Sequence, residues 1–243
     1  MANLFLGVGD ARTATRSSDG LTWTGGALTG FGVSITIRAV TWAPELALFI
    51  AAGNNGELVT SPDGITGTAR TSSFGTTSIR TACWSPNLTL AVAAGGAGKL
   101  ATSPDAVTWT QRTSAFGTTL IQGSAWSPSL GLFVIVGDSG TLATSPDGIT
   151  WTLRTSSFGS TNIRAVAWSE DLQLFVAVGG SGKLATSPDG ITWTQRTSNL
   201  GGTTGMGVAW ASSIGLFAVV GDLSLGAISS DGITWTQATA AAG

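Results

Sequence analysis

The chain has no histidine and no tyrosine among its 243 residues, and a single cysteine, Cys83. Without histidine, neither a Ser-His-Asp nor a Cys-His nucleophile system assembles in its usual form, and His-based metal sites are excluded. One cysteine excludes an internal disulfide and leaves the redox compartment open. Cys83 itself reads as a small buried residue, since no base stands by to activate its thiol. Charge is scarce as well: 11 Lys and Arg oppose 13 Asp and Glu, for a net of −2. The only lysines are Lys99 and Lys183, and no basic cluster exists, so nothing argues for nucleic acid or an anionic membrane as partner. The longest apolar runs, such as GLFVIVG at 131–137, are far too short to span a bilayer. The first ten residues, MANLFLGVGD, lack a basic n-region and meet Asp10 early. They do not read as a signal peptide, so a cytoplasmic or virion-associated location is expected.

What the chain does have is glycine, threonine and serine in abundance, and a repeat. The octapeptide SPDGITWT stands at 145–152 and again at 187–194, with near-copies beginning at 17, 61, 103 and 229. Its aspartates are Asp19, Asp63, Asp105, Asp147, Asp189 and Asp231, spaced by 44 and then by four steps of 42. A second series, Trp42, Trp84, Trp126, Trp168 and Trp210, holds 42 throughout. A period near 42 with short strands predicts a β-propeller with four-stranded antiparallel blades. In the unit from 163, strands are predicted at 163–169, 174–179, 182–187 and 191–197, each rich in β-branched or aromatic residues between Gly, Pro, Asp and Ser turns. Six copies of strands two to four but five first strands give 23 strands in a six-bladed, all-β fold spanning 1–243 as one domain. The first blade then lacks its innermost strand, and ATAAAG at 238–243 is too short to add it.

Aromatic residues obey the same period. All ten tryptophans occupy two slots, one in strand one and one (Trp23, Trp109, Trp151, Trp193, Trp235) after the box. Phenylalanines occupy strand two (Phe5, Phe49, Phe133, Phe175, Phe217) and the returning loop (Phe31, Phe74, Phe116, Phe158). No large aromatic is left to mark a unique site. In the box, the Asp side chain is expected to accept backbone N–H groups about two residues on, with the next Gly supplying a positive φ. The Trp is expected to pack flat between blades. The octapeptide is therefore a structural signature, and a catalytic group is not usually supplied six times over.

The pattern Ser-x-Asp-Gly-x-Thr-Trp resembles the Asp-box of the bacterial neuraminidase repeat family, which marks sialidase-like and related β-propellers. The likeness covers essentially the whole chain, although the box here is one residue shorter, copy two has Gly67 for Trp and copy three has Ala106 for Gly. The sialidase activity that the family name implies loses its tyrosine nucleophile here. A glycosidase needs two carboxylates facing one cleft, whereas the acidic residues here are six box aspartates and turn residues such as Asp10, Asp138, Asp222, Glu45 and Asp171; only Glu57 is read in a strand. No catalysis and no cofactor are expected.

Function is thus expected in the loops. The returning loops and the turns between strands two and three emerge at one end of each blade, the boxes at the other. The first end collects Phe74, Phe116, Phe158 and Asp138, with Arg38, Arg80 and Arg164 at the start of three innermost strands, four residues before a tryptophan. By a two-residue period each Arg shares a face with its Trp. These seven residues are the candidate partner or ligand site, with carboxylates or sugars as suitable chemistry. Arg70, Arg112, Arg154 and Arg196 end the outermost strands and read as solubilising rim charges. The leading expectation is a scaffold with a protein partner, as in a phage virion appendage or bacterial surface complex. A glycan-binding lectin is the second reading, and an assembly factor resembling the photosystem II type is the third.

Overall fold

The computed structural model describes residues 4–239. It is an all-β, six-bladed β-propeller whose 23 strands follow the repeat. Blade one holds β1 (Phe5–Val8), β2 (Thr13–Ser17) and β3 (Thr24–Ala27). Blade two holds β4 (Ile37–Ala43), β5 (Leu48–Gly53), β6 (Leu58–Ser61) and β7 (Thr68–Arg70); blade three holds β8 (Ile79–Ser85), β9 (Leu90–Gly95), β10 (Lys99–Ser103) and β11 (Thr110–Thr113). Blade four holds β12 (Ile121–Ser127), β13 (Leu132–Gly137), β14 (Leu142–Ser145) and β15 (Thr152–Arg154). Blade five holds β16 (Ile163–Ser169), β17 (Leu174–Gly179), β18 (Lys183–Ser187) and β19 (Thr194–Thr197). Blade six holds β20 (Gly205–Ala211), β21 (Leu216–Gly221), β22 (Leu225–Ser229) and β23 (Thr236–Thr239). Each sheet is antiparallel in simple sequence order, and blade one has three strands where the others have four. Of the C-terminal tail, Ala238 and Thr239 belong to β23, and 240–243 lie outside the described residues. By compactness the chain divides between blades three and four, into 1–113 and 114–243.

Alternating small and large apolar residues let the blades stack face to face. In the second unit, Trp193, Phe175 and Ala185 of blade five share a core with Val134, Val136 and Leu142 of blade four. Blade six repeats the arrangement, placing Phe217, Val219 and Trp235 against Val176, Val178 and Leu184. Blades two and three do the same in the first unit, through Trp109, Trp84 and Ala93 against Ile50, Ala52 and Leu58. The box tryptophan therefore packs on the preceding blade. Strand four starts after it, at Thr194 rather than at Ile191, because the Trp193 indole turns back to donate to the Gly190 carbonyl at 3.0 Å.

Two of the departures from the repeat in the first unit explain each other. The 44-residue step adds length to the loop between Asp19 and Trp42, and the box of blade two carries Gly67 where other copies have Trp. Thr29 of that longer loop lies in the place of the missing indole. Its hydroxyl accepts from Gly67 N–H at 2.9 Å and donates to the Ile65 carbonyl at 3.1 Å, and its own N–H donates to Ile65 at 2.9 Å. A Cβ on Gly67 would fall on the Thr29 carbonyl oxygen and against Val59. Gly67→Ala should therefore cost about 2–3 kcal/mol by overpacking, read as a lower urea midpoint at unchanged slope. An unchanged midpoint would mean that the loop does not fill this place.

Candidate functional site

Every box is closed by the same hydrogen bonds. In blade four, Asp147 Oδ1 accepts from Ile149 N–H at 2.8 Å, from Thr150 N–H at 2.7 Å and from the Ser145 hydroxyl at 2.9 Å. Ser145 Oγ in turn accepts from Gly148 N–H at 2.8 Å. The first three bonds recur at Asp19, Asp63, Asp105, Asp189 and Asp231. The box glycine has φ near +71° in blades four to six, and Ala106 adopts +57° in its place. Three N–H or O–H donors on one oxygen stabilise the carboxylate. Backbone N–H bonds, from Thr22, Thr108 and Thr234 first, hold Asp19, Asp105 and Asp231 down at about 2. Asp63 is lowered chiefly by Ile65 N–H. At Asp147 and Asp189 burial pulls upward most strongly, yet the combined N–H and hydroxyl bonds outweigh it and leave both lowered.

The turn carboxylates at this end are also in use. Glu45 accepts from the Trp84 indole at 2.6 Å and Asp171 from the Trp210 indole at 2.8 Å, each reaching from one blade to the next. Glu170 accepts from Trp168 at 2.7 Å, the main reason its carboxyl is lowered. Among the described residues no three Cys, Asp or Glu side chains group as a metal site would require.

At the opposite end the sequence-predicted residues are largely occupied with structure. Phe74, Phe116 and Phe158 lie in the core, 1–4% exposed, so they offer a ligand no stacking surface. Each loop folds back because the serine two residues ahead of the Phe accepts its N–H, as Ser156 does from Phe158 at 3.3 Å. Both lysines pin these loops, Lys99 Nζ donating to the Phe74 carbonyl and Lys183 Nζ to the Phe158 carbonyl, each at 2.8 Å. Arg38 Nε donates to Asn54 at 2.6 Å, and Asp138 accepts from Gln122 at 2.9 Å. Arg80 is half-buried, and Arg164 has a buried Nε that meets no acceptor. Arg38 and Arg80 belong to the first unit, Arg164 and Asp138 to the second. The two-residue alternation does not link Arg to Trp either. A β-bulge falls at each of these positions, between Ile163 and Ala165 for example, and it interrupts the count of faces. The outer arginines donate across the sheet to strand-three threonines, Arg70 to Thr60 at 2.9 Å and Arg154 to Thr144 at 3.0 Å, which ties the outermost strand to its neighbour. Glu57 precedes β6 rather than lying in a strand, and it accepts from Gly32 N–H at 2.8 Å.

At the box end, exposed apolar side chains recur from blade to blade. The residue after the box glycine is aliphatic in all six copies, and the tip of the first turn carries Leu or Ile. In the second unit Ile149, Ile191 and Ile233 are 46–49% exposed, and Leu130, Leu172 and Ile214 accompany them on the same three blades. The first unit shows Leu21, Ile65, Leu88 and Val107 in the same slots. The signal was present in the sequence: a turn position that should be polar is aliphatic every time.

No family model and no curated protein sequence matches this chain. Solved structures do. A structure of YCF48 bound to D1 peptide is similar over 98% of this chain and 77% of that one, at TM-score 0.71 and 16% identity. YCF48 from Cyanidioschyzon merolae matches over 97% and 81%, at 0.71 and 17%. Selenomethionine-substituted virginiamycin B lyase from Staphylococcus aureus matches over 95% and 78%, at 0.79 and 8%. At such identities the likeness is one of fold. That fold carries a peptide in one neighbour and a lyase in another. Among the described residues no helix is long and apolar enough to cross a membrane.

Proposed function

We propose that this chain is a non-catalytic scaffold that binds a protein partner through the box end of its blades. The observation that carries the reading is the row of half-exposed aliphatics on blades four to six, repeated in every copy. Exposed aliphatic side chains recurring on neighbouring blades, set in polar turns, favour a protein partner. The six box carboxylates, by contrast, are held down and turned inward onto backbone N–H groups, which suits a rigid platform better than acid–base work. YCF48 bound to D1 peptide supports a propeller's capacity to hold a polypeptide. Six boxes support assignment to the Asp-box repeat family, and with it a place in a larger assembly such as a phage virion appendage or bacterial surface complex. The lectin reading loses its aromatic platform with the burial of the loop phenylalanines.

The test compares the immobilised chain with a variant carrying Ile149→Gln, Leu172→Gln and Ile191→Gln. Proteins from candidate hosts should be retained by the first and lost by the second at an unchanged melting temperature. Equal retention by both would refute the box end as the surface, and a glycan array that lights up on both would restore the lectin.

A further inference from the structure

In blades two to six the second strand is paired on both sides, but β1, its counterpart in blade one, pairs among the described residues only with β2. The side chains register the difference. Phe49, Phe133, Phe175 and Phe217 are 0–6% exposed, and each lies 4.4–4.7 Å, ring to ring, from the tryptophan of its innermost strand. Phe5 occupies the same slot, has no such tryptophan, and is 50% exposed. Trp23, the box tryptophan of this blade, is 46% exposed where its counterparts are at 3–8%.

Open sheet edges are normally blunted by charge, proline or a bulge, because their unpaired N–H and C=O groups template another strand. The outer edges of blades two to five follow that rule, with short strands bearing Arg70, Arg112, Arg154 and Arg196. The inner edge of β1 does not. Its sequence Phe-Leu-Gly-Val carries no charge and no proline, and it pairs with β2 in unbroken register from Phe5 to Val8.

We propose that the inner edge of β1 receives, by antiparallel strand addition, an extended segment of a partner protein. The repeat itself specifies that segment. In blade five Trp168 stands opposite Phe175, with Ala167, Val166 and Ala165 opposite Val176, Ala177 and Val178. Carried onto β1, this register asks for an aromatic residue opposite Phe5 and small or aliphatic residues opposite Leu6, Gly7 and Val8. The segment stops there, because the Gly9 carbonyl already accepts from Ile37 N–H at 2.9 Å. Main-chain bonds would supply affinity and the aromatic pair specificity. This proposal rests on the main chain of β1 and on Phe5, not on Ile149, Leu172 and Ile191, so either proposal stands if the other falls.

The experiment uses a fluorescein-labelled peptide copying residues 163–169, titrated with the full chain and followed by anisotropy. Saturable one-to-one binding is expected, with slowed amide exchange at Leu6 and Val8, whose N–H groups alternate away from β2. A peptide with serine in place of its tryptophan should bind about tenfold more weakly, the scale of one aromatic pair. The Phe5→Asp variant, altered at a half-exposed side chain, should melt as the parent does and lose the peptide. Absence of saturable binding would overturn the proposal, and so would binding that ignores both Phe5→Asp and the peptide tryptophan.

Discussion

Replacing Trp193 by alanine should cost the chain about 3–5 kcal/mol, the scale of a large aromatic removed from a packed core. The indole is buried among residues of two blades, with Val134, Val136 and Leu142 on one side and Phe175 and Ala185 on the other. Its ring centroid lies 6.2 Å from that of Phe175, tilted by 38°, so Phe175 loses one of its two ring partners and keeps Trp168. The substitution also removes the donor to the Gly190 carbonyl that closes the turn. The site cannot collapse easily, because the strands on either side, β13 and β14 of blade four and β17 and β18 of blade five, are fixed by their ladders. Trp23→Ala is the matched control, since that side chain is largely in solvent and its loss should cost under about 1 kcal/mol. Urea unfolding of the two variants beside the parent decides the matter. Equal losses at Trp193 and Trp23 would mean that the box tryptophan stabilises its own turn rather than the stacking of blades.

That contrast also shows what a sequence of this kind makes legible. Period and alternation specify sheets, strand order and the Trp and Phe slots, because every copy repeats the same burial problem. Periodicity also located the incomplete blade, since the series beginning at Trp42 has one member fewer than the boxes. What it concealed depends on groups far apart in the chain. Thr29 substitutes for an indole 38 positions away, and the carboxylates of Glu45 and Asp171 serve tryptophans 39 positions on. The loop phenylalanines misled for a related reason. Loops usually run over the surface, but here a serine hydroxyl and a lysine from the following blade fold them inward. The aliphatic residue two places after the box aspartate is legible as well, since the hydrogen bonds of the turn give no reason for an apolar side chain there.

Acid should unfold this protein within a narrow window, and neutral pH should leave it indifferent. With no histidine, no side chain has an ordinary pKa between about 5 and 8, so stability is expected to be flat there. The six box carboxylates all titrate below the ordinary 3.8, with Asp19, Asp105 and Asp231 at about 2. A carboxyl with a lower pKa in the folded chain than in the unfolded one stabilises the fold fully above the unfolded value. That contribution fades as pH falls through the folded value. Stability should therefore hold to about pH 4 and decline steeply toward about pH 2 as the unfolded chain takes up protons that the boxes refuse. All six boxes lose their carboxylates below the ordinary range, so the loss is collective. Asp147→Asn isolates one of them. At neutral pH it should cost about 1 kcal/mol, a charged hydrogen-bond contribution discounted for solvent exposure. The gap to the parent should close as acid protonates Asp147, below the ordinary carboxylate range. Guanidinium midpoints for both proteins across pH 7 to 2 provide the measurement. A gap that persists unchanged in acid would show that the carboxylate charge is not what holds the turn.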